Sequence, residues 1–248
     1  LQYLATNLCK EALINTEAFN CSVVFANANT GEVLISAEER GDKESINIDL
    51  ISTRAQYEPG SSLKIFSIGL ALEQGLLDEK TEYYVEDTIE LIENSCQKDF
   101  KGYKGCYKDF LKHEPYNLSV KEIIERSSNV GTIIATKDLN INDLEEFLSK
   151  FGFSKRTGIE LSGESKGSFD PNKTCTTCLS SLSIGYSINV TQMQMVKAYS
   201  IIANGGKNVD LTLIKSPYSN YSPNQVIDSN SSERLKNLLI NVVEGENG

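Results

Sequence analysis

The chain has 248 residues, 24 basic and 34 acidic side chains, a formal net charge of −10 and a pI of about 4.8. That balance leaves no electrostatic footprint for DNA or RNA, so nucleic acid is excluded as a partner. No stretch approaches the roughly 18 consecutive apolar residues of a membrane helix, and residues 1–20 have neither the charged start nor the apolar run of a signal peptide.

In chain order, residues 3–18 place apolar side chains at helical spacing, and "CSVVFANANTGEVLISA" (21–37) follows with two short apolar runs around a turn at Asn27 to Gly31. A helix and then a β-hairpin are predicted. "SSLKIFSIGLALEQ" (61–74) is apolar on most sides, which predicts a deeply buried helix ended by Gly75. Residues 81–117 are polar, with Gly102, Gly105 and Pro115, and read as irregular. Ser119 and Glu122 form a capping box for the helix "VKEIIER", which points its end at "SSN". Further helices are predicted from about Val130 to Asp138, from Asn142 to Phe151 with Gly152 as stop, after the cap Thr191 with Gly205 as stop, and over "SERLKNLLINVVE".

The six cysteines fall in sequence-local pairs, Cys9 with Cys21, Cys96 with Cys106, and Cys175 with Cys178. Three fates are open: disulfides for some of them in an oxidising compartment, a zinc site from Cys96, Cys106, Cys175 and Cys178, or free buried thiols. One CxxC is a weak metal signal and the single histidine, His113, adds little to it, so free thiols are the expectation.

Nucleophilic chemistry is suggested by "YEPGSSLK" (57–64), which sets two serines and a lysine directly after Glu-Pro-Gly. If a helix begins at Ser61, Ser61 and Lys64 share a face and the amine reaches the hydroxyl. A Ser/His/Asp triad would have to use His113, and no GxSxG elbow is present, so lysine is the available base. To work near neutral pH its pKa must fall from about 10.4; burial is the physical means, and a shift of about 3 units costs ~4 kcal/mol. The N–H groups at a helix start, that of Ser61 included, also suit a developing oxyanion. Singly these patterns are close to chance: S-x-x-K recurs at Ser95 to Lys98, and S-x-N occurs at Ser45, Ser187 and Ser222 as well as at Ser127. Carboxylate runs such as Glu38 with Glu39, or Asp143 with Glu145 and Glu146, read as solvated faces rather than a glycosidase pair.

In order, however, the strings resemble one family. "NTGEVLIS", "YEPGSSLKIFSIGLALEQGLL", "LSVKEIIERSSNVGT", "FGFSKRTGIELSGESKG", "SIGYSINVTQMQMVKAYSIIANGG" and "VVEGENG" look like successive landmarks of a class B penicillin-binding protein transpeptidase domain, over roughly the whole chain. "SSNVG" and "FGFSKRTGIELSGES" resemble its division-specific, septal branch more than the elongation branch. The resemblance implies one transpeptidase domain over 1–248 with an α+β fold of the penicillin-binding and serine β-lactamase type, helix-rich with a five-stranded antiparallel sheet. It implies a peptidoglycan D,D-transpeptidase that uses no cofactor or metal. Ser61 would be acylated, Lys64 would be its base, Ser127 would relay a proton, and Asn129 would hydrogen-bond the substrate amide. Glu58, Pro59 and Gly60 would shape the approach to Ser61, and Tyr186 in "IGYSIN" would line the cleft.

The same resemblance implies peptidoglycan stem peptides as substrates, β-lactam antibiotics as mimics that stall the acyl-enzyme, and membrane proteins of the divisome as partners. Those partners are expected to bind through an N-terminal membrane helix and pedestal that this stretch lacks, at the inner membrane with the catalytic domain facing the periplasm. The lack of an initiator Met fits a piece of a longer, membrane-tethered protein. One family landmark is missing: no Lys-Thr-Gly or Lys-Ser-Gly is present, and "KRTG" at Lys155 to Gly158 matches a different landmark. In the family that motif follows shortly after a stretch like "NVVEGENG", so the C-terminal strands are expected to lie beyond this sequence. A chain truly ending at Gly248 is expected to be a poor enzyme, since losing one oxyanion donor costs about 100- to 1,000-fold. Its hairpin would be a two-stranded element whose edge needs cover. Two other readings are a catalytically silent penicillin-binding scaffold or sensor, and a serine β-lactamase, for which no deacylating carboxylate stands at a recognisable landmark.

Overall fold

The computed structural model describes residues 1–41, 50–97, 105–170, 175–215 and 223–245. Ser45, Lys98 and Ser222 of the chance motifs, and residues 98–104 of the stretch read as irregular, lie outside the described residues. In chain order the elements are α1 (Gln2–Thr16), β1 (Asn20–Ala26), β2 (Val33–Arg40), α2 (Ile51–Arg54), a 3-10 turn (Gly60–Leu63), α3 (Lys64–Glu73), β3 (Glu82–Val85), β4 (Thr88–Glu90), β5 (Cys106–Lys108), β6 (Tyr116–Ser119), α4 (Val120–Glu125), α5 (Asn129–Thr136), α6 (Ile141–Lys150), β7 (Ser168–Phe169), α7 (Cys178–Ser183), β8 (Ile188–Asn189), α8 (Gln192–Ala203) and α9 (Ser229–Glu244). The class is α+β, and the chain divides into two compact units. No helix among the described residues is long and apolar enough to cross a membrane.

The first unit comprises 1–57, 149–168 and 189–232. Its centre is the β1–β2 hairpin, in which Val23 pairs with Ala37 and Phe25 with Ile35. Leu34 is an extra residue at a bulge, since the next pair is Ala26 with Val33. The bulge changes which side of the hairpin the β2 side chains serve. Ile35 and Ala37 pack with Val23 against Ala5 of α1, whereas Val33 joins Val24 and Ala26 in a cluster with Ile159, Met193 and Leu211. The hairpin edge is covered in part: the Gln2 amide exchanges two hydrogen bonds with the Ser36 backbone (2.9 and 3.0 Å), and Thr212 pairs with the Gly31 and Val33 backbone (both 2.9 Å). Glu38 is not a solvated charge; its carboxylate accepts from the Ile51 and Ser52 N–H groups (both 2.8 Å) and so caps α2.

The second unit comprises 58–148, 169–188 and 233–248. Its core helix is α3, buried at every residue from Lys64 to Leu72. It ends as the sequence predicts, in a Schellman motif: Gly75 has φ +67°, its N–H donates to Leu72 O (3.1 Å), and the Leu76 N–H donates to Ala71 O (3.0 Å). Gly69 leaves room for Leu235 of α9, whose side chain would lie 3.1 Å from any Cβ there. The stretch read as irregular is partly strand, since β3 pairs with β6 and β4 with β5. These strands are three or four residues long and mostly polar, too short for the alternation that marks a strand.

Free thiols are not found. Cys9–Cys21, Cys96–Cys106 and Cys175–Cys178 are disulfides, with Cα separations of 5.4, 4.9 and 5.3 Å. No free cysteine remains among the described residues, which leaves no thiolate for the zinc alternative. Sequence spacing alone leaves disulfide, metal and thiol open; the Cα approach of each pair, within bridging range, decides it.

Candidate active site

All four site residues named from the sequence fall in the second unit. The approach to Ser61 is held by two contacts between distant segments. The Glu58 carboxylate accepts from the Ser187 N–H (3.0 Å), and the Gly60 N–H donates to Gly185 O (3.0 Å). Gly185 has φ +86°, and a Cβ there would collide with the Gly60 carbonyl. Glycine is therefore required twice over, by conformation and by space. Gly185→Ala is expected to lower stability by about 2–4 kcal/mol, read as a reduced urea midpoint at unchanged m.

The predicted helix start at Ser61 is instead a 3-10 turn, Gly60–Leu63, with the α-helix beginning at Lys64. In 3-10 geometry residues three apart eclipse one another, so Ser61 still stands over Lys64. Ser61 is exposed and Lys64 is buried at 2% exposure, so the pair spans the surface. The Ser61 N–H, at the first turn, has no acceptor among the described residues.

The Lys64 amine does not bond Ser61, as the sequence reading had it. Nζ donates to Ser127 O at 2.5 Å and to Ser127 Oγ at 3.2 Å. A buried ammonium has three protons to place, and a backbone carbonyl is the stronger fixed acceptor. Burial pushes the Lys64 pKa down to about 8, against a smaller upward pull from the Asp109 charge.

How Ser127 reaches the lysine follows from the join between two helices. The Ser119–Glu122 capping box starts α4 as predicted. Its other end is a second Schellman motif, with Ser127 N–H donating to Ile124 O (3.1 Å) and Ser128 N–H to Ile123 O (3.0 Å). Ser127 therefore sits at the left-handed position, φ +55°, where glycine is usual. Ser128 immediately caps α5, its Oγ accepting from the Gly131 N–H at 2.8 Å. Asn129 is the first residue of α5, and its Nδ2 donates to Lys108 O at 2.7 Å.

Lys64 and Ser127 are thus in contact, Ser61 stands one turn before Lys64 with its carbonyl accepting from the Lys64 N–H, and the Asn129 amide is held on the β5 backbone. "KRTG" belongs to the first unit and folds around Glu164, whose carboxylate accepts from the Thr157 and Gly158 N–H groups (2.7 and 3.1 Å). Sequence reasoning missed Gly185 and Asp109. Gly185 lies within the quoted "IGYSIN", but its contact, like that of Asp109, is with a segment far from it in the chain. No metal-ligating group of three or more carboxylate, imidazole or thiol side chains occurs among the described residues.

An exposed serine one turn above a desolvated lysine, with a second hydroxyl bonded to that amine, is a site equipped for serine acyl transfer without histidine. Comparison with known families names the class. The model of the penicillin binding protein transpeptidase domain matches residues 21–248, and the chain belongs to that family. Penicillin-binding protein PbpB of Mycolicibacterium smegmatis is 28% identical over 87% of this chain, and the probable peptidoglycan D,D-transpeptidase PbpC of Pseudomonas aeruginosa is 26% identical over all of it. The chain spans 33% and 43% of the length of these two relatives. Among solved structures, penicillin binding protein 3 of Mycobacterium tuberculosis complexed with ampicillin aligns over 98% of this chain and 55% of its own, with TM-score 0.81 and 26% identity. A peptidoglycan glycosyltransferase from Burkholderia ambifaria aligns over the whole chain and 73% of its own with TM-score 0.83, but at 21% identity it speaks for the fold alone.

Proposed function

We propose that this chain is the acyl-transfer part of a peptidoglycan D,D-transpeptidase, with Ser61 as nucleophile. The observation that carries this is the buried Lys64 amine, held on Ser127 one turn below the exposed Ser61. In its neutral form Lys64 takes the Ser61 proton as Oγ attacks the carbonyl of the penultimate D-alanine of a stem peptide. The C–N bond then breaks, and the terminal D-alanine leaves with a proton passed from Lys64 through Ser127. An amine of a second stem peptide attacks the Ser61 ester, forms the new amide and returns Ser61 to its hydroxyl. The Ser61 N–H is placed to donate to the oxyanion of both steps. Asn129 binds the substrate amide when its side chain leaves Lys108 O.

A β-lactam amide is attacked in the same way but keeps its leaving nitrogen tethered, so the adduct persists. The ampicillin complex of the Mycobacterium tuberculosis protein supports that inhibition here. A septal role is supported by relatives named peptidoglycan D,D-transpeptidase FtsI, including that of Escherichia coli at 26% identity. Work outside the cytoplasmic membrane, with partners from the division machinery, is the corresponding location. Three disulfides suit such an oxidising compartment.

The test is intact-mass spectrometry after incubation with ampicillin, with peptide mapping of the product. One covalent ampicillin on the peptide containing Ser61, stable for hours, is expected. Absent labelling of folded protein that carries a Lys-Thr-Gly strand points to a silent scaffold, and rapid release of hydrolysed ampicillin points to a β-lactamase.

A further inference from the structure

Asp109 follows directly on β5 and makes contacts that the acyl-transfer scheme above does not use. Its Oδ1 accepts from two backbone N–H groups at the start of α5, those of Asn129 (2.6 Å) and Val130 (3.0 Å). Its Oδ2 accepts from Ser128 Oγ (2.7 Å) and lies 3.1 Å from His113 Nε2. The carboxylate side chain is only 8% exposed. The same segment also reaches the residue before Ser127. His113 stacks on Tyr116 with ring centroids 4.3 Å apart, and the Arg126 guanidinium lies over the Tyr116 ring at 5.3 Å.

Residues 126, 128, 129 and 130 are therefore held from one side by residues 109–116, while Ser127 between them has a left-handed backbone that opposes staying in place. We propose that Asp109 is a positioning residue of this site: its carboxylate clamps the turn 128–130 so that Ser127 is kept on the Lys64 amine. The inference rests on the acyl-transfer reading of Ser61 and Lys64. A carboxylate is suited to the task because three donors and the His113 ring converge on it, and charge-assisted bonds are about twice as strong as neutral ones.

The clamp carries a signature that a neutral structural contact lacks, because its charge acts on Lys64. Among the described residues Asp109 is the one charge that shifts the Lys64 amine. Of the elements packed on α3, the 3-10 turn and α5 carry no charged side chain, and neither Lys121, Glu122, Glu125 and Arg126 at α4 nor Glu233, Arg234, Lys236 and Glu244 of α9 shift the amine. His113 is the titratable group on Asp109 itself. Burial works against its charged form, but the Glu114 carbonyl and Asp109 outweigh that and hold its pKa above the ordinary value.

The test uses the whole chain, lysines labelled with 13C at Cε, and a fluorescent penicillin. Asp109→Asn should move the midpoint of the Lys64 resonance, identified by its absence from Lys64→Met, to below about 8, and shift the rising limb of acylation to lower pH with it. Asp109→Ala should be acylated about 10- to 100-fold more slowly on the plateau of its pH profile, where the lysine is neutral and positioning alone is read. A wild-type rate for Asp109→Ala, or a Lys64 midpoint that stays or rises in Asp109→Asn, overturns the proposal. If Asp109→Ala does not fold, Ser128→Ala removes one donor of the clamp and keeps its charge; it should be about 10-fold slower with the limb unmoved, and a wild-type rate overturns the clamp. Failure of the wild type to acylate would instead overturn the acyl-transfer reading, and the Lys64 titration would still decide the role of Asp109.

Discussion

Lys64→Met should lower the rate of acylation by a penicillin about 100- to 10,000-fold, the span general-base catalysis typically supplies. The wild-type rate should rise with pH and reach half its plateau near 8, where the Lys64 amine loses its proton; the variant should show no such limb. The same shift has a stability consequence whose sign can be worked out. The unfolded chain holds this proton up to about 10.4 and the folded chain only to about 8, so between those values the unfolded state binds more protons and stability rises with pH. The penalty is fully present below pH 8, at about 3 kcal/mol, and vanishes above pH 10.4. Methionine removes it but also strips the Ser127 carbonyl of its donor, a loss of about 1–3 kcal/mol. The variant at pH 7 is therefore expected to melt within a few degrees of the wild type. A collapse of Tm, or an intact pH limb, would remove Lys64 from the role of base.

The second large effect separates activity from stability at one residue. Ser127→Gly and Ser127→Ala both delete the hydroxyl on the Lys64 amine, so both should lose acylation about 100-fold or more. They differ only in the Cβ that the left-handed backbone disfavours. Glycine should therefore be the more stable of the two by about 1 kcal/mol, or roughly 2–4 °C in Tm for a chain of this size. Equal melting temperatures would mean that Ser127 is not strained. The serine is kept where glycine suits the fold better, and strain at such a position is common where a side chain acts on substrate.

The parts of this structure legible in the sequence are those with local causes. Ser119 and Glu122 cap α4, Thr191 caps α8, and Gly75 ends α3, because each needs only neighbours within a few residues. The hairpin turn over 27–31 was equally readable, with Gly31 at φ +74°. Ser61, Lys64, Ser127 and Asn129 were named from the family resemblance of their motifs, and their bonding was not legible. Which acceptor the amine chooses depends on the backbone conformation of Ser127, 63 residues away. The pairing of β3 with β6 and β4 with β5, the glycine needed at 185 and the convergence on Asp109 are likewise set by distant partners, and no spacing rule carries them.

The disulfides have a property that their positions alone confer. Six cysteines admit 15 pairings, and this chain uses the one in which each cysteine joins the next along the sequence, at separations of 12, 10 and 3 residues. A polypeptide oxidised N-terminus first, as it emerges, meets its cysteines in that order. Within this stretch the native partner of Cys21, Cys106 and Cys178 is in each case the cysteine just before it, so none of these three bonds requires that another of them be undone.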